Sequence, residues 1–98
     1  MSDRKRAIKV ISGSLELGYS LSEAVQRALG STLTDFAARN DFRQEEVSMC
    51  LLGYPQRVYP RIRDALCSEL HVSRAFLDEK IAEQAARRGD AMGLGSTS

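Results

Sequence analysis

The side chains that could do chemistry in this 98-residue chain do not form the constellation of an active site. Glu45 and Glu46 are an acidic pair, but consecutive residues diverge by about 100° around a helix and do not easily share a substrate. Cys50, Cys67 and the single histidine, His71, have neither the spacing of a metal site nor that of a nucleophile with its base. We therefore expect a protein that is not an enzyme, holds no cofactor or metal, and acts by binding a partner.

The segment 32–53, TLTDFAARNDFRQEEVSMCLLG, has the pattern of two short amphipathic helices joined by a tight turn. Asn40 and Asp41 tolerate a left-handed backbone, and Gly53 is typical of the position just past a helix. The pattern predicts helices over about 33–39 and 44–52, which together form a helix-turn-helix unit. Apolar residues recur at i, i+3 and i+4 in each half: Leu33, Phe36 and Ala37, then Val47, Cys50 and Leu51.

Two residues of this unit predict how its helices pack. Ala37 is small enough to let the helices cross closely, and Phe42 in the turn is expected to fold back between them as an apolar plug. An ordinary helical hairpin explains the same spacing, so the periodicity alone does not assign a function.

Helix signals divide the rest of the chain. Ser20 and Ser73 are suited to cap helices over about 21–29 and 74–88, and Pro60 to begin one over 60–70. A first helix is predicted over 3–17, and strands are not supported, so the fold class is all-α. The expected organisation is an additional basic N-terminal helix at 1–18, a helix-turn-helix domain at 19–88 and a flexible tail at 89–98.

Composition is that of one ordinary globular domain, with 43% hydrophobic and 28% charged residues and a net charge of +1. No segment has the length and hydropathy of a membrane span, and the N-terminal apolar run is interrupted by Lys9, Ser12 and Ser14, unlike a signal peptide. Both cysteines are expected on buried helix faces. We expect a reduced, cytoplasmic protein.

The order of the helices resembles that of the lambda-repressor-like DNA-binding domains, the Cro/CI or XRE family of phage and bacterial regulators. The resemblance covers about residues 20–82 and is carried by TDFAARNDFRQEEVSMCLLG at 34–53 and VYPRIRDALCSELHVSRAFL at 58–77. The chain has Asp41 and His71 where the family often has glycine, and Arg43 where a small capping residue is usual. The resemblance implies a compact five-helix domain, here with an added N-terminal helix, that binds double-stranded DNA and regulates transcription, most simply as a repressor.

In this family the second helix of the motif lies in the major groove. The outward residues of 44–52 would then read bases, with Gln44 pairing to adenine, Glu45 accepting from cytosine, Ser48 bonding either kind of edge and Met49 packing on a thymine methyl. A solvated helix face is the alternative for each. The side chains expected to contact phosphates are Thr32, Thr34, Arg43, Arg57, Tyr59 and Arg61.

Regulators of this family generally bind as dimers, and two apolar stripes are candidate pairing surfaces: Phe76, Leu77 and Ile81 in the last helix, or Ile8, Ile11 and Leu15 in the first. The alternative is that both stripes complete the core of one chain. A different function also stays open, because low net charge and Glu45-Glu46 favour a protein-binding module that reuses the same fold, antitoxin-like or directed at a polymerase or a phage regulator.

Overall fold

The computed structural model describes residues 3–53 and 59–97, with side chains at 5–53 and 59–87. All regular secondary structure in these ranges is helical, which confirms the all-α class. The elements are α1 (Asp3–Glu16), α2 (Leu21–Leu29), α3 (Leu33–Asn40), α4 (Gln44–Leu52), α5 (Pro60–Leu70) and α6 (Arg74–Thr97).

Three of the predicted helix starts, those of α2, α3 and α6, are confirmed by side-chain caps. The Ser20 hydroxyl accepts a hydrogen bond from the amide of Glu23 at 3.3 Å, and the Thr32 hydroxyl accepts one from the amide of Asp35 at 3.1 Å. Ser73 caps α6 in the same way, 3.1 Å from the amide of Phe76. Each cap satisfies an amide that has no partner inside its helix.

The end of α6 differs from the sequence-based expectation. The backbone is helical to Thr97, whereas residues 89–98 were expected to form a flexible tail. The expected end was placed at Gly89, but the helix continues although Gly89, Gly93 and Gly95 each disfavour it by about 1 kcal/mol. Described side chains of α6 stop at Arg87.

The core is a single cluster that includes residues from every helix. Phe36, Leu21, Leu51, Leu66 and Leu77 lie among its fully buried side chains. Both stripes that were candidate pairing surfaces contribute to it, since Ile11, Leu77 and Ile81 are buried and Ile8, Leu15 and Phe76 pack against it. These residues therefore lie in or against the core of the single chain, which was the alternative to a pairing surface.

Helix α1 contributes more residues to the core than the predicted stripe of Ile8, Ile11 and Leu15. Ala7, Ile11 and Ser14 are buried, while Ile8 and Leu15 are half-buried. The most extensive contacts of α1 are with α2. The prediction from apolar spacing named the larger residues Ile8, Ile11 and Leu15.

Helix α6 holds the beginning of α2 and the end of α4 together. The Gln84 side-chain oxygen accepts a hydrogen bond from the amide of Leu21 at 3.1 Å. At the end of α4, Gly53 lies directly against Ile81 and Ala85. In the described part of the chain, no helix combines the length and apolar character that crossing a membrane requires.

Candidate functional site

The connection between α3 and α4 has the tight geometry that its sequence predicts. Asp41 adopts a left-handed backbone, with φ 60° and ψ 42°. The amide of Phe42 then donates to the carbonyl oxygen of Ala37 at 2.8 Å, which satisfies a carbonyl at the end of α3. The centre of the Phe42 ring lies 6.1 Å from the centre of the Phe36 ring. The plug that Phe42 was expected to form is therefore confirmed.

Helix α4 is anchored by one face and exposed at its first two residues, while its other outward residues are half-buried. Val47, Cys50 and Leu51 are buried, as predicted. Gln44 and Glu45 are exposed. The first turn of α4 is thus available to a partner, and α1 packs on α2 and α5 instead of covering it.

The outward side chains of α4 are partly ordered by one another. The Gln44 amide nitrogen donates to the Ser48 hydroxyl at 3.1 Å, one turn further along. This bond leaves the amide oxygen and one N–H of Gln44 for a partner. Met49 is half-buried, and the Tyr59 hydroxyl donates to its sulfur at 3.9 Å. Of the four residues expected to read bases, Ser48 and Met49 are half-buried, and Gln44 and Glu45 are exposed.

The residues expected to contact phosphate are less uniform. Thr34, Arg43 and Arg61 are exposed. Thr32 uses its hydroxyl oxygen to cap α3, so it retains only its O–H to donate outward. Tyr59 is half-buried. Arg57 lies outside the described residues.

Charges around α4 are of both signs. Arg43 begins the helix without a capping bond from its side chain, and Asp41, Glu45 and Glu46 lie within the same few residues. The two glutamates favour the helix dipole in the first turn of α4. They also repel any polyanion that approaches this end of the helix.

Sequence reasoning missed the residue that braces the end of α3. Glu69 of α5 accepts from Arg39 at 2.6 Å and from the side-chain amide of Asn40 at 2.9 Å. The same Asn40 nitrogen also donates to the carbonyl oxygen of Phe36 at 2.9 Å. No local sequence pattern predicts this contact, because Arg39 and Glu69 lie about thirty residues apart. The brace fixes the end of α3, and hence the turn into α4, against α5.

The brace predicts a dependence of stability on pH. Burial by itself raises the pKa of Glu69, but hydrogen bonds from Arg39 and Asn40 lower it, and the net shift is downward from the ordinary 4.5. The stabilisation is therefore present above about pH 4.5 and is lost as the pH falls through the lower folded-state pKa. In Glu69→Gln, the free energy of unfolding should fall less steeply with acid than in the wild type, as measured by urea titrations across this range.

Glu79→Gln is the matched control for that titration. Glu79 is exposed, and its side chain makes no ion pair with another described residue, so this variant should keep the wild-type acid profile. Some acid sensitivity should persist in both variants, because Arg63 and Arg74 also hold the pKa of Asp78 down, against the effect of its burial. An unchanged acid profile in Glu69→Gln would show that the brace does not couple to folding.

A second ion-pair cluster joins α5 to α6. Arg63 contacts Asp78 at 2.7 Å, and Arg74 contacts both Asp78 at 3.2 Å and Asp64 at 2.5 Å. Arg63 thus pairs across two helices, with an aspartate of α6. Its guanidinium is therefore occupied inside the fold.

The two cysteines are free thiols. Cys50 is buried as expected, whereas Cys67 is half-buried. Burial raises the pKa of both thiols, which keeps them protonated. Among the described residues, no group of three or more His, Cys, Asp or Glu is arranged to hold a metal ion.

Comparison with known proteins gives no match for this chain among protein-family models, curated proteins or solved structures.

Proposed function

We propose that this chain is a cytoplasmic regulator that binds double-stranded DNA by inserting the exposed face of α4 into the major groove. The observation that carries the proposal is the placement of α4. Three buried side chains anchor it, the turn at Asp41 fixes its start, and Gln44 stands exposed at its first position. This arrangement suits the docking of a recognition helix, whose first residues contact base edges.

The hydrogen bond between Gln44 and Ser48 supports a specific role for Gln44. Pairing with adenine requires one amide N–H to donate to N7 and the amide oxygen to accept from N6. Ser48 occupies the other N–H, so the side chain is already oriented before DNA arrives. A preoriented side chain loses less conformational entropy on binding.

Phosphate contacts in this proposal come from both sides of α4. Arg43 precedes the helix and Arg61 lies in the first turn of α5, and both guanidinium groups are exposed. Thr34 and the half-buried Tyr59 can add hydroxyl donors. Such contacts position the protein on the duplex without reading sequence.

One such module covers a short site, so we propose that two copies bind paired half-sites about one helical turn apart. Leu77 and Ile81 are buried in the core of the single chain. Pairing through α6 would then use the half-buried Phe76 and its exposed neighbours.

The first test of the proposal is Gln44→Ala. Selection from random DNA should show lost preference at one base pair, with discrimination reduced by roughly 1–3 kcal/mol. Thermal unfolding should hardly change, because Gln44 is exposed and its side chain bonds only Ser48 among the described residues.

Arg61→Ala is the contrasting variant. It should weaken binding to all sequences alike and leave the preferred sequence unchanged, since a phosphate contact carries no base information. If Gln44→Ala bound DNA with an unaltered site preference, the assignment of α4 as the reading helix would be wrong.

A second candidate function is favoured by the carboxylates at the start of α4. Asp41, Glu45 and the half-exposed Glu46 suit a basic protein surface better than a phosphate backbone. In that case the exposed face of α4 would bind a protein partner, and Glu45→Gln would weaken the complex. Absence of duplex binding together with a discrete protein complex lost in Glu45→Gln would favour this candidate.

A further inference from the structure

A small cavity opens between the start of α4 and the start of α5. Its volume is about 260 Å³. The aromatic rings of Phe42 and Tyr59 line it, together with the buried Ile62. Small-molecule sites in proteins usually begin at roughly 300 Å³, so this cavity suits a ligand no larger than an amino acid.

Two opposite charges line the same cavity, the carboxylate of Glu46 and the guanidinium of Arg61. Within the described part of the chain, neither side chain forms a hydrogen bond or an ion pair. The arginines Arg39, Arg63 and Arg74, in contrast, are all ion-paired. Among the described residues this mainly apolar cavity therefore has one acid and one base without a partner, which makes it complementary to a ligand with both charges and an apolar body.

We propose that this cavity binds a small amphoteric molecule, with the chemistry of a free amino acid that has an apolar or aromatic side chain. Glu46 binds its ammonium group, Arg61 binds its carboxylate, and Phe42 and Tyr59 pack against its side chain. Both charges line a cavity this small, so one small molecule can contact the two together. An apolar side chain of a protein partner could fill the same volume, but it would give neither the Glu46 carboxylate nor the Arg61 guanidinium a partner of opposite charge.

The site also has a structural consequence for α4. Glu46 lies in the first turn of that helix, and Phe42 lies in the turn before it. A ligand held between Phe42, Glu46 and Arg61 contacts the segment that orients Gln44. The inference does not depend on DNA binding, and its test contains no DNA.

The experiment is a titration of the ¹⁵N-labelled full chain followed by backbone amide NMR, with L-phenylalanine as the probe. Phenethylamine, which lacks the carboxylate, and 3-phenylpropionate, which lacks the ammonium group, are the matched ligands. L-phenylalanine should shift the amides of Phe42, Glu46 and Ile62. Each matched ligand should bind about fivefold more weakly, because it loses one charge contact at a solvent-accessible site.

Charge-specific variants identify the two contacts. Glu46→Gln should weaken L-phenylalanine and phenethylamine by about fivefold and leave 3-phenylpropionate unchanged. Arg61→Gln should do the reverse, weakening the two ligands that carry a carboxylate. Glu79→Gln, on the exposed side of α6, should bind all three ligands as the wild type does.

Three outcomes would overturn the inference. Absence of shifts at the cavity in saturating L-phenylalanine would show that no such site exists. Equal affinity for the three ligands would show an apolar pocket that ignores both charges, as a docking site for a protein side chain would. Shifts confined to amides away from Phe42, Glu46 and Ile62 would place the ligand elsewhere.

Discussion

Replacing Gly53 by alanine should destabilise the fold by roughly 2–4 kcal/mol. Gly53 ends α4 in a left-handed conformation with φ 78°, which an L-residue adopts only at a cost. A Cβ atom at this position would lie 2.8 Å from the Cβ of Ala85 and 3.0 Å from the carbonyl oxygen of Ile81. Neither contact can be relieved by rotating a side chain, so α6 must move away from the end of α4. Urea unfolding of the two proteins measures the loss directly.

Gly30→Ala is the matched control for this variant. Gly30 ends α2 in a similar conformation, with φ 74°, but nothing lies within 4 Å of its would-be Cβ. Gly30→Ala should therefore lose only the stability that a left-handed conformation costs an L-residue, about 1–2 kcal/mol. If the two variants lost equal stability, the close approach of α6 to Gly53 would be refuted.

Phe36→Ala should cost roughly 3–5 kcal/mol. The ring is fully buried and supports Phe42 in the turn that leads into α4. Its removal leaves a cavity under that turn. Because small domains are stable by only about 5–15 kcal/mol, the variant should be close to unfolding at physiological temperature. The free energy of unfolding in urea is the measurement.

Phe76→Ala tests whether burial is the cause. Phe76 is half-buried, and the ammonium group of Lys80 lies 5.4 Å from the centre of its ring. Its loss should cost only roughly 1 kcal/mol. Similar losses for the two phenylalanines would mean that Phe36 does not support the turn as described.

Helix positions were predictable because their signals are local. Ser20, Thr32 and Ser73 cap helices three residues from the amides that they bond, and Gly53 ends α4 where a left-handed residue is needed. The amphipathic period also identified the buried face of α4. These features require only a few neighbouring residues to be considered at once.

Features that join distant parts of the chain were not predictable. The brace from Arg39 and Asn40 to Glu69, and the pair of Arg63 with Asp78, depend on how whole helices pack. Ala7 and Ser14 of α1 are buried as well, although neither belongs to the predicted stripe of Ile8, Ile11 and Leu15.

In the candidate site, too, the local features were predictable and the features that join distant residues were not. The exposure of Gln44 and Glu45 followed from the helical period. The cavity lined by Phe42, Glu46 and Arg61 did not, because it forms only where α4 meets the start of α5. Sequence reasoning considered Glu46 and Arg61 separately, and no pattern in the chain places them together.

The most direct test of DNA binding through α4 is the affinity for a selected duplex at several salt concentrations. Neutralising about four to six phosphates should give a log–log slope of about −4 to −5. Affinity should then fall roughly 250- to 1,000-fold between about 50 and 200 mM salt. Duplex binding that is undetectable at the lower salt, or that does not change with salt, would contradict the account.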